Sequence, residues 1–563
     1  MSRSRPRSRW IKHDRQRTVA AYMVAALGVV GLLSTVTRPL RGRLHDLLDI
    51  VPSVVPHAAA ITLIFVSFGL LLVGRGLRSG QRLAWIGALA LLGASVVLHV
   101  TKGLDVEEAA LSAVAGIWLV TKRAAFPVRP SWSRQRAAIL LAVAGTVTAL
   151  IIAYVLSAAA VERIHPDRID HGAHATRWLG DAHRGTVVVA LALGLLGSVL
   201  WVVLSASTPR PLVGEAHRRE RERARLLVDR YGDGSLDYFA LRDDKQWFFT
   251  SSTVVAHTVR TGVCLVSPDP IGPDDGREEA WADFMAYAER NGWSVAVLGA
   301  GADWLEIYES FGLRPVYLGD EAVVDAATFT LDGRAMRGVR QAYNRVNRAG
   351  LTTTFHDPRT LSPHERAELA AIATQSRQGD AERGFSMTLS RMFDPDDTGL
   401  LLSVARDHAG VAQAFIQWVP FGAAGGDGEH GWSLDVMRRR LDSELPNGVM
   451  EFVVIDTITK VVADGGGLLT LNFAVMRDFV AGERTGRGAK IMSQLVRRTT
   501  SHAQVESLWR FNAKFGPQWR PRYAVLGAID SLVRQGLVMS EAEGVIRTPK
   551  IFEPGRADSA EKK

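Results

Sequence analysis

Six apolar runs in the first 205 residues constrain this chain more than any other feature. They are Val19–Val36, Val54–Val73, Leu83–Val100, Ala109–Val120, Ala137–Val161 and Thr186–Ser205. A bilayer crossing takes ~20 mostly apolar residues. Five runs reach or approach that length. The fourth does so only by taking in Val106–Ala109, with Glu107 and Glu108. The expectation is an N-terminal polytopic α-helical membrane domain. Flanking charge orients it. Seven basic residues from Arg3 to Arg17 precede the first run, and Arg75, Arg78 and Arg82 separate the second from the third. Lys122, Arg123, Arg129, Arg134 and Arg136 lie between the fourth and fifth, and a basic run from Arg218 to Arg225 follows the sixth. Positive residues stay on the cytoplasmic side, so both termini are expected there. Arg38, Arg41 and Arg43 in the first outer loop are the exception. The first run lacks a small-residue cleavage site and reads as an anchor.

The loop from Glu162 to Arg184 is expected to face outward. It carries His165, His171, His174 and His183 among Asp167, Asp170 and Asp181. Imidazole and carboxylate are zinc ligands, but this spacing matches no closed site, and a solvated polar loop is the preferred reading. No metal is expected. Cys264 is the single cysteine, which excludes an internal disulfide and a Cys-rich zinc site. The formal charge of +9 favours an anionic partner, phospholipid head groups or nucleic acid.

Beyond Ser205 the composition turns to mixed charge and aromatics. Residues 1–18 read as a basic cytoplasmic segment, 19–205 as the membrane domain and 206–226 as a basic juxtamembrane helix. An α+β unit follows at 227–332, a basic connecting helix at 333–350, a second α+β unit at 351–546 and a tail at 547–563. In the first unit, LDYFAL (236–241), QWFFT (246–250), VVAHTV (254–259) and WSVAVLGA (293–300) read as strands, with helices over 277–291 and 304–311. In the second, a helix with Ser362 as its N-cap precedes strands over 401–407, 411–420 and 432–437. A helix over 451–463, a strand over 468–475 and a helix over 489–505 complete it.

Four stretches carry chemistry. In WSLDVMRRR, an acid (Asp435) and Arg438 sit at a strand end, facing a Pro-Asn-Gly turn and the helix that carries Glu451. On the residues alone this is either a structural ion pair or a substrate-holding pair. RGVRQAYNRVNRAG (337–350) is a helix whose arginines recur at near-helical spacing with almost no acid to pair them, so it reads as a solvated face or an anion site. Lys514, Arg520 and Arg522 are interleaved with Trp509, Phe511, Phe515, Trp519 and Tyr523, a mixture suited to phosphates and stacked bases. GERTGRGAK (482–490) is a short Gly-rich basic loop before a helix, a weak phosphate-binding signal. No Ser-His-Asp elbow, Walker loop or His-Glu-x-x-His motif is present.

Three of these stretches in order, RGVRQAYNRVNRAG, SLDVMRRR…PNGVMEF and SLWRFNAKFGPQWRPRYAVL, resemble the catalytic domain of phosphatidylglycerol lysyltransferases, the multiple peptide resistance factor family. The likeness covers roughly 227–544. It implies two tandem acetyltransferase-like folds and transfer of a lysyl or alanyl group from aminoacyl-tRNA to phosphatidylglycerol at the cytoplasmic leaflet of the bacterial inner membrane. The consequence would be lower negative surface charge and resistance to cationic antimicrobial peptides. The six spans are fewer than in the longest members, which carry a flippase, and charged tRNA is expected to come from elsewhere.

Such a transfer needs no cofactor. It needs a positioned hydroxyl, proton removal and charge stabilisation. With the resemblance, Asp435, Arg438 and Lys514 become the catalytic candidates, Asp435 for the cationic amino group and Arg438 for a phosphate. Asn447, Glu451, Asn472, Arg522 and Tyr523 are the substrate-binding candidates. Arg337, Arg345, Arg348, Arg484 and Arg487 are the candidates for nucleic-acid or phosphate contacts. Expected partners are aminoacyl-tRNA, phosphatidylglycerol and the bilayer, with monomer or homo-oligomer left open. The rival readings are an acyl-CoA-dependent acyltransferase and a lipid transporter or flippase with a regulatory cytoplasmic domain.

Overall fold

The computed structural model describes residues 6–36, 54–103, 105–129, 136, 139–141, 143–145, 194–200, 204, 209, 211–378, 384–422, 429–442, 444–475, 502–527 and 531–544. Two compact units result: Met1–Thr208 grouped with Ala286–Ser294, and Pro209–Met285 with Val295–Lys563.

In the first unit the first four apolar runs are helices: α1 Pro6–Val36, α2 Val54–Arg78, α3 Arg82–Gly103 and α4 Val106–Thr121. Helix α4 takes in Glu107 and Glu108 as its first turn, where the helix dipole favours negative charge. Ala20, Val24, Leu70, Val73, Ala88, Leu92, Ala115 and Leu119 pack between the helices. Among the described residues, two helices are long and apolar enough to cross a bilayer, Trp10–Ser34 and Arg82–Thr101. On α4, Leu111, Val114, Ile117 and Val120 are all exposed, so the face turned away from the packing is as apolar as the packed one. The outer loop at 162–184 and most of the fifth and sixth runs lie outside the described residues.

The second unit starts with helix α5 (Gly214–Tyr231), on which Arg and Glu alternate in pairs at helical spacing. Among the described residues its framework is an eleven-stranded sheet. The strands are β1 Gln246–Phe249, β2 Val254–Arg260, β3 Val263–Val266, β4 Ser294–Ala300, β5 Arg314–Asp325 and β6 Thr352–His356. They continue as β7 Leu401–Arg406, β8 Ala412–Phe421, β9 Gly431–Arg439, β10 Leu468–Val475 and β11 Gln518–Leu526. The spatial order is β1-β2-β3-β4-β11-β5-β10-β9-β8-β7-β6. Strand β11, from the end of the chain, is inserted between β4 and β5 and is antiparallel to both. Strand β10 is antiparallel to β5 and parallel to β9. One sheet therefore runs through both halves of this unit.

Helices clothe the sheet: α6 Arg277–Asn291, α7 Leu305–Ser310, α8 Arg337–Arg348, α9 Pro363–Arg377, α10 Val449–Ala463, α11 His502–Ala513 and α12 Leu532–Ala542. Ser362 caps α9 and closes a reciprocal capping box with Glu365. Strand β8 is an almost unbroken apolar run because both its faces are covered. Ala414, Ile416 and Trp418 pack with Phe452, Val453 and Ile455 of α10, whereas Phe415 packs with Leu369 and Ile372 of α9. Side chains on a strand alternate between faces, so two helices are served by one sequence run. One expectation fails here. Residues 236–241 are not a strand, since Asp237–Leu241 form a buried 3-10 turn. The Asp237 carboxylate accepts the Gly234 N–H at 2.9 Å and holds the chain in that turn.

Candidate functional site

Helix α8 contains no acid. Val339 and Val346 are its buried residues and share a core cluster with Phe452 and Val453 of α10. This packing leaves Arg337, Arg345 and Arg348 exposed. Tyr343 fixes the pairing of α8 with α10: its hydroxyl donates to Asp456 Oδ1 at 2.9 Å, and its ring lies 5.0 Å from that of Phe452. Burial, with the acceptor Asp456 second, pushes the Tyr343 phenol up to about 12.

A cleft of about 430 Å³ opens beside this helix pair. Its lining comes from three places: Ala335 to Arg345 at the start of α8, the Asn447–Gly448 turn with Glu451, and Ala513, Lys514 and Gly516 at the end of α11. Gly448 has φ +107°, and a Cβ there would stand 2.6 Å from the Ala342 Cβ. The turn can approach α8 only because this position has no side chain. Gly516, with φ +59°, closes the turn that follows α11, its N–H donating to the Ala513 carbonyl. Asn512 ties that helix to the sheet by donating to the Leu471 carbonyl at 3.0 Å. Lys514 thereby projects from a fixed helix end.

The cleft brings together four residues singled out from the sequence: Arg345, Asn447, Glu451 and Lys514. Lys514 Nζ lies 2.6 Å from Glu451 Oε1. Arg345 Nη1 donates to the Asn447 carbonyl oxygen at 2.9 Å. Glu451 sits in the first turn of α10 and is the one carboxylate among the described lining residues. Among the described residues of this wall a metal ion would find a single carboxylate and no imidazole or thiolate. Elsewhere among the described residues, His99, Asp105 and Glu108 bring donor atoms within 4.8 Å of one another at the α3–α4 turn. The Asp105 N–H donates to the His99 carbonyl there, so the turn itself draws them together.

The other described candidates stand apart from the cleft lining. Asp435 is buried at a bulge in the β8–β9 pairing, where Gln417 opposes Val436 and Trp418 opposes Leu434. Its Oδ1 accepts the Leu389 N–H and its Oδ2 the Gln417 side-chain amide, each at 2.7 Å. Arg438 Nη1 donates to the Met437 carbonyl at 2.9 Å. Arg522 belongs to a second, smaller cavity of about 60 Å³, also lined by Asp233, Asp237, Asp269 and Asp303. Its Nη2 lies 2.6 Å from Glu321 Oε2 and 2.8 Å from Ser235 Oγ. Burial pushes the Asp269 carboxyl here up to about 6. Tyr523 packs its ring against Tyr317. Arg520 pairs with Glu429. Asn472 lies on β10, and its side chain, like Arg484 and Arg487, is outside the described residues.

The sequence reading missed two features. Ala335, Gly338 and Ala342 recur at helical spacing and form the cleft wall, a signal present in the sequence but masked by the arginines. Glu321 and Ser235, the partners of Arg522, carry no local signal because they are distant in the chain.

The model of the family described as phosphatidylglycerol lysyltransferase, C-terminal, matches residues 225–526. A lysylphosphatidylglycerol biosynthesis bifunctional protein LysX of Mycolicibacterium gilvum is 31% identical over 583 residues, covering 97% of this chain and 51% of that protein. The LysX of Mycobacterium tuberculosis strain H37Rv is 36% identical over 364 residues, covering 64% of this chain and 30% of that protein. The chain thus spans about half or less of these relatives' length. The solved structure of L-PGS from Bacillus licheniformis aligns with a TM-score of 0.50 at 24% identity, covering 57% of this chain and 96% of that one, a likeness of fold.

Proposed function

This chain belongs to the phosphatidylglycerol lysyltransferase family, and on that premise we propose that it transfers a lysyl group from aminoacyl-tRNA to phosphatidylglycerol in the cleft between α8, α10 and α11. The observation that carries this is the cleft's charge arrangement. One carboxylate, Glu451, and two cations, Arg345 and Lys514, stand around a cavity sized for a small acyl group. Both substrates are built to match: an aminoacyl ester is cationic, while the tRNA end and the lipid head group are phosphates. Arginine and lysine hold phosphate through charge-assisted hydrogen bonds.

The chemistry is an exchange of esters. A glycerol hydroxyl of the lipid attacks the aminoacyl carbonyl carbon. A new C–O bond forms, the bond to the terminal ribose oxygen of the tRNA breaks, and that oxygen takes up the proton. Positioning and electrostatic stabilisation supply the rate. Arg337, Arg345 and Arg348 serve as phosphate contacts, and Arg484 and Arg487 are assigned the same task. Asp435, with both oxygens engaged internally, is assigned to positioning the middle of β9 at its bulge rather than to the ammonium. Arg438 stays a phosphate candidate beside it.

The finer membrane reading is a multi-pass segment of six spans with both termini and the catalytic unit cytoplasmic. The apolar outward face of α4 supports it, since such a face suits lipid rather than water. Reporters fused after Ser205 and before Thr18 should read cytoplasmic, and one within 164–184 external. The product would carry less negative charge than phosphatidylglycerol and weaken attraction of cationic peptides to the membrane.

Membranes containing the chain, incubated with labelled lysyl-tRNA and phosphatidylglycerol, should yield labelled lipid in an RNase-sensitive manner. An RNase-resistant product dependent on acyl-CoA would replace this reading with a coenzyme A acyltransferase. Lipid movement across the bilayer without covalent change would replace it with a transporter.

A further inference from the structure

We propose that Glu451 selects the cationic side chain of the aminoacyl group, and that Lys514 occupies the selecting position until that group arrives. The proposal rests on the transferase reading above and adds to it the residue that decides between aminoacyl classes.

The Lys514–Glu451 contact has an unusual property for an ion pair in a cleft. The group that Lys514 offers is an ammonium on a flexible four-carbon stem, the same group that ends a lysyl side chain. Its Nζ lies 2.6 Å from Glu451 Oε1, which shows that such a group fits at hydrogen-bonding distance from this carboxylate. The two partners are unequally held. The Glu451 side chain is 13% exposed and fixed in the first turn of α10, whereas that of Lys514 is 46% exposed. The lysine is therefore the member free to leave. Its stem ends past the helix, with the Phe511 ring 5.6 Å from Nζ.

Displacement would cost little. A half-exposed pair of this kind contributes modestly to stability, and the exchange leaves Glu451 paired in both states. The departing Lys514 ammonium remains beside a site that receives two phosphate-bearing substrates, and phosphate offers it a new partner. The walls favour the exchange. Ala335, Gly338, Ala342, Gly448, Ala513 and Gly516 border the cleft, so an unbranched aliphatic chain meets no bulky side chain from those positions. An alanyl group has its ammonium beside the ester carbon and nothing to reach Glu451 at the same time. A neutral chain of lysyl length would enter without replacing the ammonium that it displaces, and would leave the carboxylate unpaired.

The test is equilibrium binding of three esters to the purified full chain in phosphatidylglycerol-containing micelles. The probes are lysine methyl ester, its isostere norleucine methyl ester, and alanine methyl ester. Lysine ester should bind at least about tenfold more tightly than norleucine ester. Glu451→Gln should erase that preference, and Glu451→Asp, which keeps the charge, should retain part of it. Lys514→Met keeps the stem and removes the competitor, so it should bind lysine ester more tightly than the native chain does. A structural ion pair makes the opposite demand. Weaker lysine-ester binding in Lys514→Met, or an intact preference in Glu451→Gln, would overturn the proposal. Transfer assays with lysyl-tRNA and alanyl-tRNA separate the two levels. Transfer whose lysyl-to-alanyl ratio is unmoved by Glu451→Gln would overturn the selector and leave the transferase. The predicted pattern of ester binding with no transfer from either tRNA would overturn the transferase and leave an ammonium site.

Discussion

Gln417 donates its side-chain amide to Asp435 Oδ2 at 2.7 Å, across the bulge at which β8 and β9 change register. The other carboxylate oxygen accepts the Leu389 N–H. A bulge re-aims one side chain of a strand, and here it aims an acid at two donors. Asp435→Asn would turn an amide N–H toward one of them inside the protein. Leaving a buried donor unsatisfied costs ~1–3 kcal/mol, so the variant should melt at a lower temperature. Scanning calorimetry of the full chain checks this. Unchanged melting together with abolished transfer would return Asp435 to direct contact with substrate.

Gly448→Ala should both destabilise the chain and narrow the cleft. The left-handed φ of +107° is unfavourable for alanine by roughly 1–2 kcal/mol, and the new Cβ would meet Ala342 at 2.6 Å. Either the turn or helix α8 must move. Transfer should fall further than the lost stability accounts for, which kinetics and melting measured on one preparation will show.

Arg522 is a substrate-contact candidate by sequence, and its ion pair points to another role. Its Nε and Nη2 both reach Glu321 Oε2, at 3.0 and 2.6 Å, and the Glu321 side chain is only 2% exposed. Breaking a buried pair by removing one partner costs ~3–5 kcal/mol. Arg522→Ala should therefore reduce the yield of folded protein, with Arg522→Lys a poor substitute because lysine cannot offer two donors in one plane. A well-folded Arg522→Ala protein with only a raised KM would restore the substrate role.

The second cavity should mark the pH dependence of stability. Burial raises the Asp269 carboxyl from 3.8 to about 6, with the Gly301 N–H, the Tyr308 hydroxyl and Arg522 opposing and Asp303 adding to the rise. Between those values the folded state holds the proton and the unfolded state does not. The contribution is thus full below about pH 4 and lost as pH rises through about 6, on the order of 3 kcal/mol. His257 acts in the opposite sense. Burial lowers it from 6.5 to about 4, so its contribution is full above 6.5 and lost as pH falls through about 4. The two slopes oppose each other in one window. Asp269→Asn should make stability rise more steeply with pH between 4 and 6 than in the native chain. Parallel melting curves for the two proteins across that range would contradict the assignment.

Replacing Arg337, Arg345 and Arg348 together by alanine should weaken binding of tRNA or anionic vesicles and flatten its dependence on salt. Each lost phosphate contact removes a released counterion from the slope. All three arginines are exposed, so melting should change little. An unchanged salt slope would make the stripe a solvated face.

What the sequence alone determined follows from the short range of its signals. Apolar runs placed helices α1 to α4, because a long apolar helix follows from local composition. The arginines of α8, a helix with no acid of its own, were visible because a helical face repeats within a dozen residues. Ser362 announced the start of α9 three positions before Glu365. The strand-like composition of 236–241 misled, since burial on all sides and the Gly234–Asp237 contact outweigh local preference there. Tertiary structure decided the rest. Glu321 meets Arg522 across 201 positions, and Glu451 meets Lys514 across 63. The first encounter depends on strand β11 filling the gap between β4 and β5, and the second on Asn512 tying α11 to β10. Strand pairing of that kind is settled by which edges the whole sheet leaves open, and no window of sequence contains that information.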